Sequence, residues 1–382
     1  MNDFNFKVPQ DIIFGKGCIQ KLPELLQKEN VSKVLVISGP HLNKIGSVDN
    51  IMTLLQEHSI AAEKFIDVEA NPSVETVEKA ATLYKESGSD AIIAFGGGSP
   101  MDVAKAVGVI SQYGGTINDY EGAHLVPGKI PTIVAIPTTA GTGSEVTAFS
   151  VITDHQRNYK LTVFSYELIP AYALLDPDLI VTLPASIAAA TGMDALVHAL
   201  ESYLSKAASP FTEALALKAL KMIGQNIRAF VADRTNETAA SEMLTGSMLA
   251  GIAFAWSRLG NVHAMAHPVS GYFNVSHGVA NAILLPVVLE YNALADSGKY
   301  KEIYNCIKIS REPVQVFRPS LLVSEIRQLN EDLGIPKNLS AVGVTADKIP
   351  DMAKDAMKSG NILVNPRQST FEDIKLLFQK AL

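Results

Sequence analysis

Two hydrophobic textures divide this chain. Up to about residue 184, short β-branched runs recur: "KVLVIS" (33–38), "DAIIAF" (90–95), "TIVAIP" (132–137) and "YALLDP" (172–177). Between them lie stretches such as "VETVEKAATLYKESG", with apolar residues three and four apart. Strands alternating with helices predict parallel pairing in a helix-covered sheet. The opening "FKVPQDIIFGKG" predicts a strand or hairpin at a sheet edge. Beyond "DPDLIVTLP" the β-rich runs give way to Ala-, Leu- and Met-rich segments of helical period: "SIAAATGMDALVHALESYLS", "PFTEALALKALKMIGQNI" and "ASEMLTGSMLAGIAFAWS". The tail "TFEDIKLLFQKAL" reads as a further helix with Thr370 as its cap. The expected organisation is an α/β domain over 1–184 and an all-helical domain over 185–382.

Composition narrows the function classes. A chain of 382 residues is long for a single core, which agrees with two domains. Its 47% hydrophobic and 19% charged content is an ordinary globular mix. Against 32 basic residues stand 39 acidic ones, a net charge of −7 that argues against nucleic acid or an anionic membrane as partner. The start "MNDFNFKVPQDIIFGKG" lacks a basic segment followed by an apolar one, so no secretory signal is expected. The most apolar stretch, "VANAILLPVVLEYNALA", is broken by Asn, Pro and Glu and is not expected to span a membrane. Two cysteines, Cys18 and Cys306, make neither a disulfide framework nor a thiolate metal site. A cytoplasmic protein is expected.

Two glycine-rich turns each leave a predicted strand. In "DAIIAFGGGSPMDVAKAVGVI", Gly96, Gly97 and Gly98 let the backbone turn sharply and approach a ligand. Ser99 is placed to cap the next helix, with Pro100 at its first position. Free amides at such a helix start suit a phosphate. The turn is not the GxGxxG fingerprint, because the third glycine would fall at Met101; a tight turn without a ligand is the plain alternative. The second turn, "AIPTTAGTGSEVT" (135–147), offers the hydroxyls of Thr138, Thr139, Thr142 and Ser144. Loops at the carboxyl ends of strands in an open sheet are where a nucleotide lies.

The helical half holds the metal candidates. Asp194 and His198 in "TGMDALVHALESY" are four apart and share a helix face, as do His263 and His267 in "GNVHAMAHPVSGYFNVSHG". His277 follows a break expected at "PVSG". "HAMAH" lacks the glutamate of HExxH, which excludes that metalloprotease motif. A carboxylate with imidazoles fits Fe(II) or Zn(II), although histidines satisfied by hydrogen bonds in an Ala-rich core would show the same spacing.

"GGGSPMDVAKA", "PTTAGTGSEVT", "TGMDALVHALESYLS", "HAMAHP" and "HGVANAILLP", in that order, resemble the iron-dependent (group III) alcohol dehydrogenases over nearly the whole chain. The resemblance implies a Rossmann-like nucleotide-binding domain, a helical metal-binding domain and a catalytic cleft between them, the architecture shared with dehydroquinate synthase. It implies Asp194, His198, His263 and His277 as ligands of Fe(II), or of Zn(II) or another divalent ion. Gly97, Gly98 and Ser99 would take the cofactor pyrophosphate, with Thr138, Thr139, Asn71 and Lys160 nearby and Asp102, Thr142 and Ser144 in the same loops. Hydride would pass between a nicotinamide and an aldehyde polarised by the metal, with His267 relaying a proton. Gly39 stands in "VISGPHL" where NAD-preferring relatives carry an aspartate; losing the carboxylate removes the repulsion of a 2′-phosphate but supplies no positive partner for one, so NAD is favoured with NADP also admitted. Homodimers or larger homo-oligomers are expected by the same resemblance.

Departures from the family pattern bear on substrate. "AFAWSRLGNVHA" places Trp256 and Arg258 within two helical turns of His263, where relatives carry small or neutral residues. Phe149 and Phe254 fall at positions resembling the pocket wall. An arginine there would pair with a carboxylate, sulfonate or phosphonate, as on sulfoacetaldehyde or succinic semialdehyde. If Arg258 instead faces solvent or a glutamate, a neutral aldehyde or diol such as propanal, lactaldehyde or 3-hydroxypropanal fits. A dehydroquinate synthase-like lyase and a non-catalytic nucleotide-binding module are the readings from other classes.

Overall fold

The computed structural model describes residues 6, 8, 10–157, 159–310, 312 and 314–382. The chain divides into two compact units. One comprises Val8–Thr139 and Ser144–Ile180, and the other comprises Val181–Leu382 with Ala140–Gly143 and Phe6. The sequence placed the change of texture at residue 185, and the chain enters the helical unit at Val181. That four residues of the threonine–glycine loop count with the helical unit was not legible in the pattern.

The α/β unit is built on nine strands: β1 (Asp11–Phe14), β2 (Lys33–Ile37), β3 (Ala61–Phe65), β4 (Ala91–Gly96), β5 (Gly122–Ala123), β6 (Thr132–Pro137), β7 (Phe149–Asp154), β8 (Tyr159–Phe164) and β9 (Tyr172–Leu175). The main sheet has the order β1-β9-β6-β4-β2-β3, parallel throughout. Alternate residues feed two cores. Leu35, Ile37, Ile92, Ala94, Ile133 and Ala135 face one helical layer, while Val34, Val36, Ile93, Phe95, Val134 and Ile136 face the other. Burial on both faces explains why these strands read as continuous apolar runs. β1 lies at the sheet edge beside β9, as "FKVPQDIIFGKG" suggested. The strand order reverses at β2: β3 lies on one side of it, β4 and the later strands on the other. The carboxyl ends of β2 and β4 therefore flank the switch point where an open α/β sheet binds ligands. A second sheet, β5-β8-β7, contains the β7–β8 hairpin.

In the helical unit, Ala185–Leu204, Pro210–Ala232 and Glu237–Ser257 pack on one another. The second begins with a Ser209–Thr212 capping box, and the last helix, Phe371–Ala381, with a Thr370–Asp373 box. His277–Asn292 packs against both Ala185–Leu204 and Asn261–Phe273. With the turn that follows it, to Ala295, this helix is long and apolar enough to cross a membrane by composition. It is 67% buried within the protein, which marks it as a core helix. The break expected at "PVSG" lies further on: the helix Asn261–Phe273 runs through Pro268 and ends at Asn274 in the left-handed conformation.

Candidate active site

The metal candidates come from three helices. Asp194 and His198 sit one turn apart on Ala185–Leu204, His263 in the first turn of Asn261–Phe273, and His277 at the start of His277–Asn292. Asp194 Oδ1 lies 3.8 Å from His198 Nε2, 3.5 Å from His263 Nε2 and 3.8 Å from His277 Nε2. Ligands on a tetrahedral ion with bonds of about 2.1 Å stand roughly 3.4 Å apart, so this spacing fits a first-row divalent ion. Asp194, His263 and His277 form the tightest set, their ligand atoms all within 4.8 Å of one another. His198 joins through Asp194, its ring stacked 4.5 Å from that of His263.

Tautomers are set from outside. His198 Nδ1 faces the Gly141 carbonyl at 3.3 Å, and His263 Nδ1 faces Glu201 Oε2 at 2.6 Å. Donation from Nδ1 leaves each Nε2 lone pair for a metal. The electrostatics also call for a cation. Burial disfavours the Asp194 carboxylate, yet His198, His277 and His263 hold it well below the ordinary range. Burial pulls His198 down to about 4 against the pull of Asp194. Burial also opposes charge on His263, but hydrogen bonds to Asp194 and Glu201 outweigh it and raise the ring to about 9. Two buried carboxylates thus gather positive charge at a place where, among the described residues, their ion-pair partners are histidines.

His267 is half-buried, its ring stacked 5.2 Å from that of His277 and edge-on to that of His263 at 6.3 Å. The Phe254 ring stacks 4.4 Å from that of His198 and forms an apolar wall beside the ligands. Two further residues escaped the sequence reading. Asn281, one turn after His277, donates from Nδ2 to Asp194 Oδ1 at 2.7 Å. Glu201, two turns after Asp194, holds His263. Each was detectable as a polar residue among apolar neighbours, in "HGVANAILLP" and "HALESYL".

The glycine turn after β4 leads into the helix Gly98–Tyr113, with Gly97 as N-cap and no side-chain cap bond. Ser99 is therefore not the cap. The helix starts earlier than expected, and the Ser99 hydroxyl donates to the Ala70 carbonyl at 2.7 Å. The N-cap glycine thus offers no side chain to the first amides of a long helix at the switch point. A Cβ at Gly97 would stand 3.3 Å from Thr139 Oγ1, which brings the two loops side by side. The Thr138 amide donates to Gly96 O at 2.9 Å. Gly39 follows β2 and opens the short helix Pro40–Lys44. Lys160, on β8, donates to Asn71 Oδ1 at 2.9 Å, and burial lowers its pKa.

Asp102 and Ser144 meet in the interior. Ser144 Oγ donates to Asp102 Oδ1 at 2.8 Å and accepts from Lys105 Nζ at 2.9 Å, and the Val151 amide donates to Asp102 Oδ2 at 3.2 Å. Lys105 is wholly buried and also reaches the carbonyls of Ser144 and Phe149. Thr142 is half-buried within the segment that counts with the helical unit.

The aromatic candidates part company. Phe149 packs 4.7 Å from Phe164 on the β7–β8 hairpin. Trp256 lies 5.7 Å from Phe6, which itself stacks on Phe211. Arg258 ends the helix Glu237–Ser257 at φ +59°, ψ −173°. It is exposed, and a Cβ on Gly360 would stand 3.1 Å from its Nη1. Among the described residues the ion-paired arginines are Arg157, Arg228 and Arg327.

Comparison with known proteins agrees with this arrangement. The profile of the iron-containing alcohol dehydrogenases matches residues 9–177, and that of the C-terminal part of the Fe-containing alcohol dehydrogenase family matches 188–382. The 1,3-propanediol dehydrogenase of Citrobacter freundii is 37% identical over 381 residues, 99% of this chain and 98% of its own. A crystal structure of 1,3-propanediol oxidoreductase superposes with a TM-score of 0.96 at 37% identity, covering 100% of both chains. The sulfoacetaldehyde reductase of Bifidobacterium kashiwanohense, solved in complex with NAD+, has a TM-score of 0.89 at 27% identity and covers 100% of this chain and 99% of its own. The lyase and the non-catalytic module give way: the chain belongs to the iron-containing alcohol dehydrogenase family, as an oxidoreductase with a Rossmann-like α/β unit followed by a helical one.

Proposed function

We propose that this protein interconverts short-chain aldehydes and alcohols with NAD(H), at a divalent iron held by Asp194, His198, His263 and His277. The observation that carries the proposal is the convergence of three Nε2 atoms within 3.8 Å of one buried carboxylate oxygen. Zn(II) suits the same donors and competes for them. When bound, the ion supplies Lewis acidity to the substrate oxygen and the nicotinamide supplies hydride.

The chain's own residues do the rest. The Gly97–Gly98–Ser99 helix start offers amides to the pyrophosphate, and Thr138, Thr139, Thr142, Asn71 and Lys160 supply polar groups along the cofactor. Asp102 and Ser144 act indirectly, bracing the loop that carries the threonines. Gly39 presents no carboxylate to a 2′-phosphate, so NADP is admitted beside NAD. The Phe254 ring keeps the approach to His198 apolar. His267 stands beside His277, the half-exposed ligand, where it can hold the proton taken up by the product alcohol.

For substrate, we favour a neutral short-chain aldehyde or diol, because Arg258 is exposed and its Nη1 lies against Gly360. The second reading, an aldehyde with an anionic end, rests on the position of Arg258 one helical turn beyond Phe254 with no carboxylate ion-pair partner among the described residues. A sulfonate or carboxylate would fill its fork. The 1,3-propanediol dehydrogenase relationship favours the same neutral reading. The test compares kcat/KM for sulfoacetaldehyde and propanal, with NADH, in wild type and Arg258→Leu. A selective loss on the sulfonate supports the anionic reading, and an equal effect on both substrates refutes it. Loss of NADH oxidation and of metal in Asp194→Asn tests the site itself.

A further inference from the structure

Glu201 has no part in the ligand set, yet its carboxylate is buried and fully engaged. Its Oε1 accepts the Val262 amide at 2.7 Å. Its Oε2 accepts the His263 amide at 3.3 Å and faces His263 Nδ1 at 2.6 Å. Val262 and His263 lie in the first turn of Asn261–Phe273, whose N-cap, Gly260, provides no side-chain cap. Glu201 therefore satisfies amides that a helix start leaves open, from a neighbouring helix. The approach depends on Gly260, where a Cβ would stand 2.8 Å from Glu201 Oε1 and 3.0 Å from Asn365 Oδ1.

The third hydrogen bond distinguishes this arrangement from simple capping. An ionised carboxylate only accepts, so His263 Nδ1 must carry the proton. Nε2 then presents its lone pair on the side where Asp194 Oδ1 lies at 3.5 Å and the Asn281 amide nitrogen at 3.2 Å. Because Glu201 shares a helix with Asp194 and His198, one rigid element both carries two ligands and aims a third.

We propose that Glu201 is a positioning residue of the metal site, one that holds His263 in the Nδ1–H tautomer with Nε2 turned to the ion. The proposal rests on the metal-dependent reading above. Glu201→Gln retains the shape but leaves one accepting oxygen for donors that occupy two, and it turns an NH2 group toward an N–H.

The test titrates full-length apoprotein with Zn(II) against a chromophoric chelator, for wild type, Glu201→Gln, His263→Ala and the double variant. Glu201→Gln should weaken Zn(II) binding about 10–100-fold, and the double variant should bind within about twofold of His263→Ala, because the effect runs through that ring. Unchanged affinity in Glu201→Gln, or a loss that adds in full to that of His263→Ala, overturns the proposal. Should Glu201→Gln fail to fold, 15N-histidine spectra of zinc-loaded wild type decide: a proton on His263 Nδ1 supports the assignment, and the opposite tautomer overturns it. Wild type that binds no Zn(II) refutes the metal-dependent reading itself. Tight binding that His263→Ala weakens and Glu201→Gln does not refutes the role of Glu201 alone.

Discussion

The severest test of the metal centre lies at a residue with no functional group. Gly278 follows His277 and marks the closest approach of His277–Asn292 to Ala185–Leu204. A Cβ there would stand 2.6 Å from the carbonyl carbon of Ala190, closer still to its oxygen, and 3.3 Å from its Cα. The obstruction is helix backbone, so no rotamer change relieves it. Carbon atoms settle at about 3.5 Å or more, so Gly278→Ala must part the helices by roughly 1 Å. That displacement falls on His277, whose Nε2 lies 3.8 Å from Asp194 Oδ1. Metal–ligand bonds tolerate only about 0.2 Å, and a misplacement of ~1 Å costs on the order of 100-fold in rate. Overpacking of this kind destabilises by about 1–3 kcal/mol, or roughly 2–4 °C in Tm for each kcal/mol in a unit of this size. Melting should be measured with excess chelator, so that metal loss does not enter, and alongside it the Zn(II) dissociation constant and kcat. Gly271→Ala is the control, since a Cβ there meets nothing within 4 Å. The reasoning fails if Gly278→Ala binds zinc as tightly as wild type and keeps kcat within about twofold, a change below ~0.5 kcal/mol.

Arg258 occupies a backbone region that essentially only glycine favours, at φ +59° and ψ −173°. Arg258→Gly should therefore raise stability by about 1 kcal/mol while leaving turnover of propanal unchanged; a lower Tm would contradict it. Burial raises the Glu145 carboxyl to about 7. Its stability contribution is full below the unfolded value of 4.5 and is lost as pH rises through 7. Denaturant unfolding should accordingly show Glu145→Gln gaining on wild type between pH 5 and pH 8, and a constant difference would count against the assignment. Gly39→Asp puts a carboxylate just after β2, with its Cβ 3.2 Å from the Val68 carbonyl oxygen, a contact the backbone must relieve by a few tenths of an ångström. KM for NADPH should rise at least about fivefold, since two like charges a few ångströms apart repel by ~1–4 kcal/mol, while KM for NADH changes little. Equal effects on both cofactors would place Gly39 away from the ribose.

What the sequence disclosed follows the reach of each signal. β2, β4, β6 and β9 stood out because burial on both faces leaves uninterrupted apolar runs. β3, "AAEKF", did not, because it is an edge strand with polar positions half-exposed. Spacing of four residues put Asp194 with His198 on one face, since that is local geometry. It could not show that His198 meets His263, which depends on how two helices pack. The glycine turn was legible, but its cap was assigned to Ser99 although the helix begins earlier and Gly97 takes that place. Pro268 suggested a break at "PVSG", yet the helix continues past it to Phe273. A missing N–H removes one hydrogen bond, and close packing on His277–Asn292 outweighs that loss. Asp102 and Ser144 carried the right chemistry for a cofactor, but Ser144 bonds to Lys105 and to Asp102, and Asp102 accepts from Ser144 and the Val151 amide.

That inward cluster and the metal centre answer the same difficulty in different ways. A buried carboxylate needs compensating charge or it takes up a proton. Around Asp102 and Glu145 the compensation is covalently part of the chain: Lys105, with its own pKa brought down to about 8 by burial, bonds to the loop the carboxylates flank. Around Asp194 and Glu201 the ion-pair partners among the described residues are histidines, and their charge is conditional. Burial depresses His198, while His263 is raised by the same two carboxylates that would otherwise go uncompensated. The first arrangement lies within the polypeptide and holds a loop in place. On the proposed reading the second is completed by a cation from outside, and a site that depends on an external charge is also one whose coordination could be shared with a substrate oxygen.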